Sequence, residues 1–503
     1  MTHYAYRERQ SAHLELETDY VVVGSGPGGA TIAHTLAEGG EKVTVVEAGP
    51  WLDPEHYPHS MVGTMRDLMD EWGALIVRGR AMWPVVQARV MGGGTVINSA
   101  IVVRTPGDIF PLWQEEHGFG GDGLAEEIWR HQDRLERDLF VQAVPREFRG
   151  RSNMLAQRGA EALGIHDHDM HRNVKDCIGR GECLQGCKVG RKQSTNLNYI
   201  PAVLNMGGDI LSCAPVRKVM LKGARAVGVS GHFVHPRTRK KGATFQVRAS
   251  KAVIVAASAT HSPALLQRSG VKAKALGHYF RAHPGTGIFG SYEEPVHMSS
   301  GATQGWSSMK MRASEGFKLE TLSIPLELVA SRLGGAGTQL IERVSEFPHL
   351  AMWVMAVRSE AVGRVRSGFG GMPSVRYTHT RGDMEKLRSA AHLIAKMHIE
   401  AGARSVIPAI YGLPYRLGPD EIDQIKDGPL DPRCYTAILS HLFGGCIMGT
   451  DPNRSVCDPD GKVHGYQGLY VSDASAIPTT LGVNPQHTIM ALSRFKGERL
   501  LDV

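Results

Sequence analysis

Three stretches of this chain carry residue types that can do chemistry. In the first, the apolar run Asp19 to Val23 leads into Gly24-Ser25-Gly26-Pro27-Gly28-Gly29, with Gly24, Gly26 and Gly29 in the spacing G-x-G-x-x-G. Glycines there let the backbone approach a pyrophosphate, and the start of a following helix offers free N–H groups and a positive dipole end. Glu47 then stands where an acid can accept hydrogen bonds from ribose hydroxyls. In the second, Cys177, Cys183 and Cys187 form C-x5-C-x3-C among Arg180, Lys188 and Arg191. Three thiols so spaced could supply a trigonal set of thiolate ligands, which the cations would stabilise; equally they could be free or structural cysteines, because a fourth ligand is missing. The third stretch, His441 to Asn484, holds an imidazole, a glycine-rich turn, an acidic strand end and an amide.

Elements must position these groups. Ala30, Ile32, Ala33, Leu36 and Ala37 predict a helix with a small-residue face, ending at Gly39-Gly40, and Lys42 to Val46 predicts the strand that delivers Glu47. Strand, glycine loop, helix, strand and acid together specify a dinucleotide site. Gly92-Gly93-Gly94, followed by Thr95 to Ser99, asks for a second close backbone approach. Val216 to Ala257 alternates as an antiparallel meander with a turn near Pro236, and Ala252 to Ala256 is apolar enough for a central parallel strand. Beyond about His283 come strand-like pieces at 350–357 and 375–378. A helix is predicted from Asp383 to Ala401, with Met384, Leu387, Ala391, Ile394 and Met397 on one face. The division expected is 1–283 for the dinucleotide lobe with the cysteine segment at 173–200, then 284–430 for a sheet-based substrate lobe, and 431–503 returning to the first lobe.

A chain of 503 residues, 42% hydrophobic and 21% charged, can bury a large core in two or more lobes. Net charge is +7, but cations and acids are interspersed and the densest basic run, Arg237 to Lys241, reads as a hairpin tip. Without a basic stripe, nucleic-acid or membrane-surface binding is not expected. Charged residues from Arg7 onward leave no secretory leader, and no apolar run is long enough to span a bilayer, so a cytoplasmic protein is expected. Seven cysteines, an odd number, argue against a disulfide scaffold.

Four stretches together, Gly24 to Glu47, Gly92 to Asn98, Ser258 to Gly270 (SATHSPALLQRSG) and His441 to Asn484, resemble the glucose-methanol-choline flavoprotein oxidoreductases. The third departs from the family signature at Lys272. The resemblance implies an α/β fold, with a Rossmann-like FAD-binding domain and a second, sheet-based α+β substrate domain. It implies FAD, with the adenosine end at Gly24, Gly26, Gly29 and Glu47 and near Val216, and the isoalloxazine ring beside Gly93 to Asn98. Asp473 and Ala474 are similar to the residues that hold the pyrophosphate and ribityl chain. Ile97 stands where some relatives carry a flavin-linked His, which implies non-covalent FAD. His441 matches the family's active-site base, and Asn484 a partner position that orients the substrate hydroxyl.

The implied reaction is hydride transfer from an alcohol C–H to flavin N5, giving an aldehyde or ketone; an imidazole suits the proton and a neutral amide the hydroxyl. The cysteine spacing is similar to that of FAD sugar dehydrogenases that carry a three-iron, four-sulfur cluster. Two outlets for the electrons stay open: through such a cluster to a protein or quinone, or directly to oxygen or a soluble acceptor. A hydroxynitrile lyase on the same scaffold is the alternative activity.

Overall fold

A computed structural model of the chain describes residues 2–8, 12–166 and 170–502. Its largest sheet has eight strands. His3–Tyr4, Asp209–Leu211, Val43–Val46, Leu14–Val23 and Lys241–Val255 run parallel in that spatial order, and Leu469–Val471 also pairs parallel with Lys241–Val255. Arg225–Val234 and Val216–Lys222 extend the sheet antiparallel. The strand Leu14–Val23 shows why composition changes along it. Glu15 and Glu17 stay exposed between half-buried leucines, while Val21, Val22 and Val23 are buried because helices cover the parallel part.

The helix Pro27–Glu38 makes the crossover that parallel strands require. It packs against the last helix, Gln486–Leu501, which in turn meets Leu124–Asp138. Helix Gln486–Leu501 is buried over most of its surface, so its small residues are close-contact points: a Cβ on Gly497 would lie 2.9 Å from Thr35. The expected meander and the parallel strand are one element. Strand Lys241–Val255 pairs antiparallel with Arg225–Val234 through its first part and parallel with Leu14–Val23 as far as Val255. The turn at 235–240 carries the basic run Arg237 to Lys241 into the start of that strand.

A six-stranded sheet takes the order Arg281–Gly285, Ile438–Phe443, Met82–Val85, Leu75–Arg78, Pro373–Arg376 and Arg364–Ser367. Distant parts of the chain, 75–85, 281–285, 364–376 and 438–443, therefore share one sheet. A five-stranded sheet, Ser307–Ser308, Phe317–Thr321, Leu350–Val357, Gly287–Ser291 and Ser405–Ile407, is covered by the helix Arg381–Glu400. Thr380 and Asp383 close a reciprocal capping box at that helix start, a device worth about 1 kcal/mol. The predicted face, Met384, Leu387, Ala391, Ile394 and Met397, is buried, and His398 joins it, stacked at 3.6 Å on Trp353.

Burial pushes several histidines down, His398 to about 3 and His379 to about 4. The unfolded chain therefore binds more protons than the native one between pH 6.5 and these values, and stability rises with pH across that window. The thermal midpoint should hold nearly level above pH 7 and fall as pH drops from 6.5 toward 4.5; a midpoint unchanged over that range would contradict the buried neutral imidazoles.

Candidate active site

The dinucleotide loop is built by contact between backbones. Gly24 has φ +102°, and a Cβ there would sit 2.3 Å from Ala256 O. A Cβ on Gly28 would meet Ser472 O at 2.2 Å, and one on Gly29 would meet Gly24 O at 2.1 Å. The residues that follow strands Lys241–Val255 and Leu469–Val471 thus press on the loop, and only glycine lets the helix start there. Glu47 ends the next strand as a buried carboxylate: Oε2 accepts from Ser25 N (3.0 Å) and Oγ (2.7 Å), and Oε1 from Gly49 N (2.8 Å). Burial raises its pKa against these hydrogen bonds. Glu47 O accepts from Ala214 N, two residues before Val216, which brings the start of strand Val216–Lys222 toward the same end of the sheet.

The second glycine loop folds onto the first. A Cβ on Gly93 would lie 2.7 Å from Gly26 Cα, whereas one on Gly94 would meet nothing within 4 Å. A short helix, Gly94–Ile97, follows, and Asn98 Nδ2 donates to Gln486 Oε1 at the start of the last helix, two residues after Asn484. Asp473 is engaged by protein donors on both oxygens. Oδ1 accepts from Ser475 N and Oγ, and Oδ2 from Ser258 N and Ser262 Oγ, which ties the SATHS stretch to the terminal block. Ala474 O accepts from Gly444 N, in the glycine turn after His441.

His441, on strand Ile438–Phe443, and Asn484 come together: Asn484 Nδ2 lies 3.4 Å from His441 Nε2. Burial lowers the His441 pKa to about 4; Glu320 acts to raise it and Lys318 to lower it. Four neighbours of this pair escape sequence reasoning. Lys318 Nζ donates to Asn484 Oδ1 at 2.6 Å and to Glu320 Oε1 at 2.7 Å, and Gln304 Nε2 donates to Glu320 Oε2 at 2.9 Å. The Glu320 carboxyl is held below its ordinary pKa, with burial opposing and Lys318 the leading cause in favour. His283 stands opposite His441 on the neighbouring strand, the two Nδ1 atoms 3.3 Å apart, and Gly482 N–H donates to His283 Nε2 at 3.0 Å. A signal for Lys318 and Glu320 was available: they sit two apart in FKLET, so one face of an otherwise apolar strand carries both charges. His487, by contrast, turns away to Glu136 Oε1 at 3.1 Å.

Cys177, Cys183 and Cys187 line one pocket with Arg180, Lys188, Arg191 and Lys192. Burial works against ionisation of Cys183, but Arg172 and Lys192 outweigh it and lower its pKa, and Arg172 Nη2 donates to its Sγ at 2.9 Å. Lys192 Nζ donates to Val96, Asn98 and Cys183 carbonyls, joining this pocket to the Gly94–Asn98 loop.

A dinucleotide loop on a parallel sheet, with an imidazole and an amide meeting beside it, defines a dinucleotide-dependent oxidoreductase. Residues 18–285 and 360–493 match the N- and C-terminal parts of the GMC oxidoreductases. The chain is 34% identical to an uncharacterised GMC-type oxidoreductase of Mycobacterium tuberculosis, over 94% of this chain and 74% of that one. It is 26% identical to a long-chain-alcohol oxidase of Arabidopsis thaliana, over 99% of this chain and 68% of that one. It is 24% identical to 2-methyl-1,2-propanediol dehydrogenase of Mycolicibacterium austroafricanum, over 96% and 95%. Among solved structures, formate oxidase superposes with a TM-score of 0.75 at 16% identity, over 98% of this chain and 99% of that one. Pyridoxine 4-oxidase from Mesorbium loti superposes with a TM-score of 0.72 at 18% identity, over 96% and 99%. The chain belongs to the GMC oxidoreductases, and it is an enzyme of the FAD-dependent class.

The residues present fit FAD. Four of the six residues from Gly24 to Gly29 are glycines and the Ser25 hydroxyl is engaged with Glu47 and Gly92. Gly94 faces open space, and among the described residues Glu47 is a buried carboxylate with no ion-pair partner, leaving acceptor capacity for ribose hydroxyls. Gly29→Ala should therefore separate the helix start from Gly24 and yield protein with well under one FAD per chain, read from the flavin absorbance of purified enzyme; full occupancy would show that the loop tolerates a side chain.

Proposed function

We propose that the enzyme oxidises the CH–OH group of an alcohol, with His441 as the base that takes the hydroxyl proton and Asn484 as the group that orients the hydroxyl. The observation that carries this reading is the approach of Asn484 to His441 at the end of the glycine loops. FAD, when bound, supplies the hydride acceptor. Gly24, Gly26, Gly29, Glu47 and Val216 would hold its adenosine end, Asp473 and Ala474 its pyrophosphate and ribityl chain, and Gly93 and Asn98 would border its ring. Ile97, having no nucleophile, leaves the attachment non-covalent. In this reading 1–283 and 431–503 form the FAD-binding domain, and 284–430 shapes the alcohol pocket.

Each neighbour then has a task. With a pKa near 4, His441 stays unprotonated at neutral pH and keeps a lone pair for the incoming proton. Lys318 points Asn484 Oδ1 toward itself and so turns Nδ2 toward His441. Glu320 offsets the positive charge that His441 gains. Similarity to an alcohol oxidase and a diol dehydrogenase supports a CH–OH donor and leaves oxygen and other acceptors as candidates for reoxidation.

His441→Ala should leave FAD bound yet slow anaerobic flavin reduction by a reactive alcohol by roughly a hundredfold or more. Unaltered reduction would remove His441 from the reaction. Because the base loses its lone pair only near pH 4, kcat/KM with alcohol should not fall between pH 7 and 5 on account of this residue; an acidic limb at 6.5 that disappears in His441→Ala would contradict the lowered pKa.

A second reading concerns the outlet for electrons. We infer that the cysteine pocket suits a three-iron, four-sulfur cluster. A cluster is several atoms across and needs thiols spread around it rather than converging on one ion. Its negative charge suits Arg172, whose buried Nη1 has no hydrogen-bond partner among the described residues, and Lys188, which is ion-paired with Glu182 at 3.5 Å. Cys177, Cys183 and Cys187 would hold it, and a protein or quinone would accept the electrons. Anaerobically purified enzyme should then contain iron and acid-labile sulfide beside FAD; stoichiometric FAD without iron would leave direct reoxidation as the route.

A further inference from the structure

A solvent-open pocket of about 330 Å³ is lined by Gln267, Arg268, His278, Arg364, Arg366 and Ser367, none of which belongs to either site described above. We propose that it binds a phosphate group, free or carried by a small molecule. Three guanidinium groups and an imidazole meet there, and among the described residues no carboxylate pairs with Arg268, Arg364 or Arg366. Arg104, by contrast, is paired with both Asp133 and Glu136. Like charges held together without a counter-charge repel, and a multivalent oxyanion relieves that repulsion.

The cations differ in how they are held. Arg268 is fixed: Nε donates to Arg217 O at 2.8 Å, Nη1 to Gly371 O at 3.0 Å and Nη2 to Val216 O at 2.8 Å. It contributes charge from the floor of the pocket, and Arg217 adds more from the adjoining strand. Arg364 Nη2 lies 2.8 Å from His278 Nε2 and 3.2 Å from Nδ1, and among the described residues its other guanidinium N–H groups have no hydrogen-bond partner, which leaves them to a ligand. Arg366 is exposed on the same strand, Arg364–Ser367. Burial, with Arg364 and Arg366 beside it, lowers the His278 pKa, so the imidazole is neutral beside Arg364. Two guanidinium forks with donors to spare beside one whose donors are used match the planar, bidentate way arginine receives phosphate oxygens, and the volume suits a ligand of nucleotide size rather than an extended polyanion.

Calorimetric titration of FAD-loaded enzyme with pyrophosphate at low ionic strength, against chloride of matched ionic strength, tests this. Saturable one-site binding to wild type is expected. Arg366→Glu, an exposed change, and the double variant Arg364→Gln/Arg366→Gln should lose about tenfold or more in affinity while keeping wild-type FAD content and thermal midpoint. Adenosine diphosphate in a parallel titration identifies the source: tighter binding than pyrophosphate assigns a nucleotide-borne phosphate, equal or weaker binding a phosphate alone. Absence of saturable binding to wild type, or affinity unchanged in Arg366→Glu, overturns the proposal.

Discussion

The architecture depends on backbone segments that touch with no side chain between them. Gly24 against Ala256, Gly28 against Ser472, Gly29 against Gly24 and Gly26 against Gly93 bring four distant pieces of chain to one point. At each contact except Gly26 against Gly93 a Cβ would fall at 2.3 Å or less from a carbonyl oxygen, closer than atoms can approach. The glycine-rich composition is thus a condition for bringing the start of the sheet, the second loop and the terminal block together, and not a sign of loose structure. Once they meet, the last helix follows: Asn98 reaches Gln486, and Asn484 is carried to His441.

Around that pair the protein buries charge. Lys318 is fully buried and Glu320 nearly so. Removing two charges from water costs several kcal/mol each and is tolerated only when they are paired and hydrogen-bonded. Lys318 meets this requirement through Glu320 and Asn484, and Glu320 through Lys318 and Gln304. Such a pair is a poor way to gain stability and a good way to fix an orientation: an amide can face either way, and an ammonium on one side of it leaves one choice.

Much of this was legible in the sequence where the determining contacts are local. The G-x-G-x-x-G loop, its helix and strand, the apolar face from Met384 to Met397 and the hairpin at Arg237 to Lys241 each depend on residues close in the chain. His441 and Asn484 were legible as types in a patterned block. His283 was not, because its meaning comes from a strand pairing that joins residues 158 apart, and periodicity says nothing about which strands will be neighbours. The same limit hid the membership of 75–85 in the second sheet, fixed by Leu439 opposite Val85, and the pairing of Lys318 with Asn484 across 166 positions.

For the role proposed for His441, its contact with His283 decides which ring nitrogen carries the proton. One proton occupies the 3.3 Å gap between the two Nδ1 atoms. Gly482 N–H, directed at His283 Nε2, favours that proton on His283, since the ring must carry it on the other nitrogen. Asn484 Nδ2, directed at His441 Nε2, favours it on His441 for the same reason. Only the second arrangement leaves the His441 Nε2 lone pair facing the amide, where a base for a hydroxyl needs it. The Gly482 contact is 3.0 Å and the Asn484 contact 3.4 Å, so the backbone donor and the side-chain donor compete for the placement of that proton. A hydroxyl that donates to His441 Nε2 in place of the longer amide contact would favour the proton on His441 Nδ1. Burial lowers the pKa of both imidazoles and keeps them neutral, which is what allows a single proton to be shared between them.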